Sequence, residues 1–523
     1  MAGSSSRPRD SAIAAVFVAV LFAPAVAFVV RPKDEGASAS ENRALAEFPR
    51  APGSVLDWAA WPRAFESWHD DHFGLRSTLL RAHSVISVFC LNSSASPLLV
   101  LGREHWIYNP GAGIDLWRGA QPFTERELEA WRHGVESRAR ELEQRGIAYS
   151  FVLVPSKSEI YPEFLPERYR QGGPSRLDQL SAHLGQHKST ALLDLRAALR
   201  EEKLRDEGDD HAFYPLGTHW SERGAWAGTR AIVHALEPRF PAIAAVDDKL
   251  AALELIDDPG DTLARQMDLS DLLTQRVRAV KFATPRELDL IAWNEHYVTV
   301  EQPDDSLPRA VIFHDSFGQP LPPLLGRHFS RAVFLWQPDI DLELVDREKP
   351  DIVLQIMSDR VLALPAPREL DAAGASRVKL AYQASNEIVL ELDVEANSPR
   401  IQSAGGGRVS VRGTGAEARV ACSTVAMSDT FLLPEFVVRE GRHPIVRIEF
   451  ESSVASTTSL FFQTRVDTTF SRRRQLLNDT HIGLNDLYIE IVDPDFAGRL
   501  MFRPAQEVGT FLIKTLEVRL VPD

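Results

Sequence analysis

Three patterns of apolar and polar positions succeed one another along this chain. The first is a run without charge, Ala12 to Val30. It is just long enough to span a bilayer core as a helix. Arg7 and Arg9 precede it, which predicts a cytoplasmic N-terminus and a body outside the cytoplasm. Ala25-Val26-Ala27 resembles a cleavage site, so a removed signal peptide is the alternative. The length of the run favours an uncleaved signal-anchor. The second pattern starts at about Leu99, where short apolar runs alternate with amphipathic helices. Thr124 to Gln144 carries an apolar stripe of Leu128, Trp131, Val135, Ala139 and Leu142. Thr124 and Glu127 make a capping box at its start and Gly146 a stop at its end. Apolar strands are expected at Ile147–Val154, Ala191–Asp194, Ala310–Phe313, Arg331–Trp336 and Asp351–Met357. Helices are expected from Ser221 to about Leu236 and from Asp341 to Arg347. Strands alternating with helices predict a doubly wound parallel sheet. The third pattern has a period of two. Ile388, Leu390, Leu392 and Val394 show it, as do Val446, Ile448 and Phe450, and Leu516, Val518 and Leu520. This repeated alternation predicts an all-β sandwich.

The stretches between these patterns set the boundaries. Residues 1–11 form a cytoplasmic tail and 12–30 the transmembrane segment. Residues 31–98 are a linker and an N-terminal extension of the central domain. Residues 99–365 form that α/β domain, and 376–523 the β-sandwich after a Pro- and Ala-rich linker at 363–375. Within the extension, Trp58, Trp61, Phe65 and Trp68 recur at helical spacing and predict a core-facing helix. His69-Asp70-Asp71-His72 resembles a metal motif, but no third ligand is evident. A structural hydrogen-bonded pair is the simpler account.

Composition narrows the function. The net charge of −15 over 523 residues excludes a general nucleic-acid binder. It also gives no broad attraction to an anionic glycan. Cys90 and Cys422 are the only cysteines. They are either one bridge or two unpaired buried thiols. No zinc spacing and no phosphate-cradling glycine loop is present, so no metal and no cofactor is expected.

Candidate chemistry centres on Ala310-Val311-Ile312-Phe313-His314-Asp315-Ser316-Phe317-Gly318. A serine at the carboxyl end of a parallel strand sits where open α/β sheets place their ligand sites. It needs a base, and His219 in Gly217-Thr218-His219-Trp220 is the candidate. On residue chemistry alone, a helix cap at Asp315-Ser316 and a packed His219 are the simpler account. Lys157 and Tyr161 follow a strand end and are candidates to line the cleft. Arg360, at the end of the last strand, is another.

Several segments, taken together and in order, resemble the polysaccharide O-acetyltransferases typified by AlgX and AlgJ, which carry an SGNH-hydrolase-like domain. They are Glu41-Asn42-Arg43, Asp71-His72-Phe73-Gly74-Leu75-Arg76, Val154-Pro155-Ser156-Lys157, Ile160-Tyr161-Pro162-Glu163, Thr218-His219-Trp220, Gly260-Asp261, Asp315-Ser316-Phe317 and Pro350-Asp351 through Arg360. The resemblance covers roughly residues 40–362. It implies Ser316 as nucleophile and His219 as general base. The acetyl group would sit on Ser316 before transfer to a sugar hydroxyl. It further implies an exported or cell-surface polysaccharide as acceptor and a multispanning membrane O-acyltransferase as acetyl donor. The location it implies is the periplasmic face of a bacterial inner membrane. The Ser316 backbone N–H is an expected oxyanion donor.

One position departs from the family. An aspartate is expected two residues before the histidine, and here Gly217 stands there. Loss of such a partner costs about 10⁴ in rate in the serine-protease arrangement. Asp209, Asp210 or Asp315 is a substitute acid, or a backbone carbonyl orients His219, or the domain binds glycan without chemistry. His314 replaces the more usual glycine and is either a substitute site histidine or a surface residue. An acetyl esterase is the alternative activity, because the same nucleophile serves both. The sandwich, with Tyr382, Tyr488 and Arg472-Arg473-Arg474, is a candidate carbohydrate-binding module by position.

Overall fold

A computed structural model describes residues 7–522, apart from 31–36, 39–42, 52–54, 188–190, 246–249, 259–261, 283–287, 295–296, 368–369, 393–400, 405–406, 413–418, 425–428, 472–473, 481–482, 506–507 and single positions elsewhere. The chain forms two compact units. One comprises residues 1–101 with 259–274, the other 102–258 with 275–523.

In the first unit, helix α1 (Arg7–Val30) contains a Ser11–Phe28 stretch long and apolar enough to cross a membrane. Helix α2 (Val55–His72) carries the tryptophans. Trp61 stacks on Phe65 at 5.2 Å, and Phe65 meets Trp68 at a tilt, 5.6 Å between centroids. Trp58 is 65% exposed, so the core-facing expectation fails at that position. His72 bonds the Trp68 carbonyl through Nδ1 at 2.9 Å, and His69 lies 3.7 Å from Asp70. The two histidines follow their own neighbours and are not paired to each other. Helix α3 (Arg76–Val85) follows. Both cysteines are free, Cys90 exposed and Cys422 buried. The expectation of two buried thiols therefore holds for Cys422 alone.

The second unit is built on a mixed sheet. Helix α4 (Glu125–Gln144) has the expected box, with Thr124 Oγ1 accepting from the Glu127 N–H and the Glu127 carboxylate accepting from the Thr124 N–H. Strand β1 (Ala148–Val154), helix α5 (Arg176–Gln186), strand β2 (Leu192–Asp194) and helix α6 (Glu222–Leu236) follow. Then come β3 (Asp289–Asn294), β4 (Tyr297–Glu301), β5 (Arg309–His314), β6 (Arg331–Trp336), helix α7 (Leu342–Glu348) and β7 (Ile352–Ser358). The sheet order is β2–β1–β7–β5–β6–β4–β3. The first five strands are parallel, and β4 and β3 are antiparallel additions. Strands β5 and β7 are almost wholly buried, as parallel strands covered on both faces must be. Their near-continuous apolar composition is the sequence consequence. A long antiparallel hairpin, Leu250–Asp258 with Gln275–Phe282, was not anticipated.

After the sheet, helix α8 (Ala372–Ala384) occupies the start of the stretch read as linker and sandwich. Its Tyr382 packs with Ile445 and Val521. Beyond it, antiparallel strands form six- and five-stranded sheets. Val446, Ile448, Phe450, Leu516 and Val518 face a shared core with Leu460, Leu500 and Phe502. In these strands every second residue faces that core, but Glu449 and Glu517 between them are covered as well, Ile388 is 46% exposed, and Val394 lies outside the described residues.

Candidate active site

Because β1, β7 and β5 are parallel neighbours, their carboxyl ends lie along one sheet edge. That edge receives Ser156-Lys157 from β1, Asp359-Arg360 from β7 and Asp315-Ser316 from β5. Asp315 makes the turn at β5. One of its oxygens accepts the Phe317 N–H at 2.9 Å, and the other accepts the Ser358 N–H at 2.8 Å and hydroxyl at 2.6 Å. A single carboxylate thus caps the 3₁₀ turn Ser316–Gly318 and ties it to β7. Gly318 is required here by proximity, since a Cβ would lie 2.2 Å from the His314 ring.

His219 reaches this edge on the loop before α6. Phe213 and Trp220 pair as an isolated antiparallel bridge, and the Tyr214 N–H donates to the His219 carbonyl at 3.1 Å. Ser221 caps α6, accepting the Gly224 N–H through Oγ at 3.2 Å. The Trp220 indole N–H donates to the Phe317 carbonyl at 3.0 Å, and the His219 ring meets Phe317 edge-on at 5.0 Å. These contacts join the histidine loop to the serine turn. His219 Nε2 lies 2.9 Å from Ser316 Oγ, although the residues are 97 apart in sequence. Both are only half-buried, so a substrate can reach them. A nucleophile–base hydrogen bond at this distance is the geometry required for Oγ activation.

A small open pocket is lined by Asn109, Gly113, Ser158, Arg360 and the chain neighbours of the pair, Thr218 and Phe317. Asn109 Nδ2 donates to Thr218 Oγ1 at 2.9 Å. Sequence reading missed Asn109 because nothing local distinguishes it. Only the fold brings residue 109 beside residues 218 and 317.

The other predicted residues divide. Arg360 borders the pocket. Lys157 also borders it, but its side chain is buried and points into protein. Its Nζ donates to the carbonyls of Ile107 at 2.5 Å, Tyr214 at 3.0 Å, Pro215 at 2.8 Å and Gly217 at 2.6 Å. Tyr161 does not line the cleft. It is 1% exposed, donates to Asp206 Oδ2 at 2.8 Å and accepts the Ala212 N–H at 2.9 Å. Burial and the Asp206 charge both push its phenol pKa up. His314 is not at the surface. It is buried, with Nδ1 against the Asp315 carbonyl at 2.7 Å and its ring near Phe334 and Trp336.

Neither described candidate acid bonds His219. Asp210 is buried between Arg223 (3.5 Å) and Arg278 (3.0 Å). Desolvation raises its pKa, and the two guanidiniums work against that. Asp315 is committed to Phe317 and Ser358. Asp209, Glu41, Asn42, Gly260 and Asp261 lie outside the described residues. Gly217 is held through its backbone carbonyl, by Lys157.

Residues 99–289 match the family described as the SGNH hydrolase-like domain of the acetyltransferase AlgX. This part of the chain is AlgX/AlgJ-like. A probable alginate O-acetylase AlgJ of Pseudomonas fluorescens is 27% identical over 197 residues, 36% of this chain and 46% of that protein. Its counterpart in Pseudomonas syringae pv. tomato is 25% identical over 206 residues, 38% and 48% of the two chains. The chain thus matches about half the length of these relatives. A solved structure of Pseudomonas aeruginosa AlgX aligns over 81% of this chain and 94% of its own, with 14% identity and a TM-score of 0.39.

Proposed function

We propose that this protein transfers acetyl groups to hydroxyls of an exported polysaccharide through an acyl-serine on Ser316. The observation that carries this reading is the 2.9 Å contact between His219 Nε2 and Ser316 Oγ at the carboxyl edge of the parallel sheet. In the first half-reaction Oγ attacks the acetyl carbonyl while Nε2 takes the hydroxyl proton. The tetrahedral intermediate collapses and the departing donor leaves with that proton. In the second half, His219 takes the proton of a sugar hydroxyl as its oxygen attacks the acyl-serine. As the acyl–Oγ bond breaks, Ser316 takes the sugar-derived proton from Nε2, which restores the free enzyme.

The Ser316 backbone N–H and the second N–H of the Asn109 amide are the proposed oxyanion donors, since one amide hydrogen remains after the bond to Thr218. Ser316 and His219 are the reacting pair in this reading, and the Trp220–Phe317 hydrogen bond ties the histidine loop to the serine turn. The similarity to alginate O-acetylases supports a glycan acceptor. The apolar helix α1 supports a membrane-anchored protein with its body in the periplasm. A multispanning membrane protein as acetyl donor fits that setting.

The sandwich is proposed to assist glycan binding, with one revision. Tyr382 is buried, with its hydroxyl on Glu517 at 2.7 Å, and offers no sugar platform. Tyr488 is partly exposed and is flanked by Arg447 and Lys379. Arg472 and Arg473 lie outside the described residues, and Arg474 is paired with Asp467.

The test is a chromogenic acetyl ester offered to the full chain in detergent, with and without an oligosaccharide acceptor. Ester cleavage lost in Ser316→Ala, with acetylated sugar formed when acceptor is present, is the expected result. Cleavage without transfer means an esterase. Full polysaccharide acetylation in cells carrying Ser316→Ala would leave only a binding role.

A further inference from the structure

Outside the dyad, two helices on one flank of the sheet bring together three metal-ligating side chains. Helix α4 contributes Glu129. His183, on the last turn of α5, and His187, at its C-terminal cap, are four residues apart and so share a face. His183 is 7% exposed. Its Nε2 lies 3.1 Å from Glu129 Oε1, but off the line a hydrogen bond needs, and this buried nitrogen has no hydrogen-bond partner. His187 Nε2 lies 3.7 Å from the same oxygen, and the two imidazole rings are 4.8 Å apart. All three donor atoms fall within 4.8 Å of one another. Ligands at the usual zinc distances in a tetrahedral shell are about 3.3 Å apart, so small side-chain adjustments would close them on one ion.

We infer that Glu129, His183 and His187 bind a divalent transition-metal ion of the zinc class, with water completing its shell. The surroundings suit the role. Glu125 lies 4.0 Å from His183 Nδ1, the opposite ring nitrogen. A carboxylate there favours the tautomer that leaves Nε2 free to ligate. Arg132 engages the other oxygen of Glu129, Oε2, at 2.6 Å, and leaves Oε1 for the ion. Its charge opposes a cation, and Glu129 and Glu136, which it also meets, offset that charge. Two imidazoles and one carboxylate select zinc, copper or nickel over magnesium or calcium, which prefer all-oxygen shells. The bound ion would clamp α4 to α5.

The experiment strips the full chain in detergent with a chelator and titrates it with Zn²⁺ by calorimetry, followed by thermal unfolding. One ion per chain and a raised unfolding midpoint are expected, with no response to Mg²⁺ at equal concentration. His187→Gln alters a residue whose side chain is 43% exposed and should fold normally. It should weaken binding by at least about 100-fold and abolish the thermal shift. Glu129→Gln should also weaken it, and His234→Gln, on another helix, should leave it unchanged. Absence of Zn²⁺ binding, binding that survives His187→Gln, or equal loss in His234→Gln would overturn the inference.

Discussion

Lys157 Nζ donates to the carbonyl oxygen of Gly217 at 2.6 Å. This bond joins the end of β1 to the loop that carries His219. The same ammonium holds the carbonyls of Tyr214 and Pro215. A buried lysine is stable only with such compensation, and here the compensation fixes the backbone two residues before His219.

Lys157→Met should therefore act on the site through its loop. The carbonyls would lose a charged donor, costing about 3 kcal/mol or more in stability. The kcat for acetyl-ester cleavage should fall much further than KM rises. Steady-state kinetics beside a denaturation curve would check this. Unchanged kcat in the folded variant would remove the positioning role.

Asp210→Asn should be a stability variant and not a chemical one. It leaves Arg223 and Arg278 facing each other without their shared carboxylate. Breaking a buried ion pair costs about 3–5 kcal/mol. Per folded molecule, kcat should match wild type. A loss of the order of 10³ or more in properly folded protein would instead make Asp210 the missing acid.

Asp359 gives the protein a pH-dependent stability. Burial drives its carboxyl up to about 7, and the Ser156 N–H, at 2.9 Å, only partly offsets this. The folded state then holds a proton between about pH 4 and 7 that the unfolded chain has released. Stability from this group falls as pH rises through that window and is flat above it. Unfolding free energies from urea titrations at pH 5 and pH 8 should differ by about 2–3 kcal/mol from this group, and Asp359→Asn should remove that contribution.

Gly318→Ala should damage the serine turn directly. The added methyl would meet the His314 ring at 2.2 Å. His314 is packed against Phe334 and Trp336 and has no room to withdraw. Overpacking of this kind costs about 1–3 kcal/mol. Thermal melting should show that loss, and ester cleavage should drop as Ser316 shifts from His219.

Where local pattern and tertiary environment agree, the fold was legible. The Thr124 box and the apolar runs of β1, β5 and β7 are set by neighbours within a few residues. Helix α8 was missed because its face packs on sandwich strands that lie far along the chain. His314 was misplaced because a histidine at a strand end looks solvated until the neighbouring strand covers it.

The sequence by itself determined the order of the parts, namely an apolar helix, a parallel α/β sheet and an alternating β-sandwich. It also named Ser316 and His219 as the pair to look for, because strand ends and family motifs are local strings. Only the tertiary structure decided that the two side chains meet at 2.9 Å. It alone showed that Asp210 and Asp315 are spent on other partners and that Lys157 grips the loop from behind. Those outcomes depend on which strands pair and which carbonyls converge, and pairing such as that of Ala148 in β1 with Ile352 in β7 leaves no mark in any short stretch of chain.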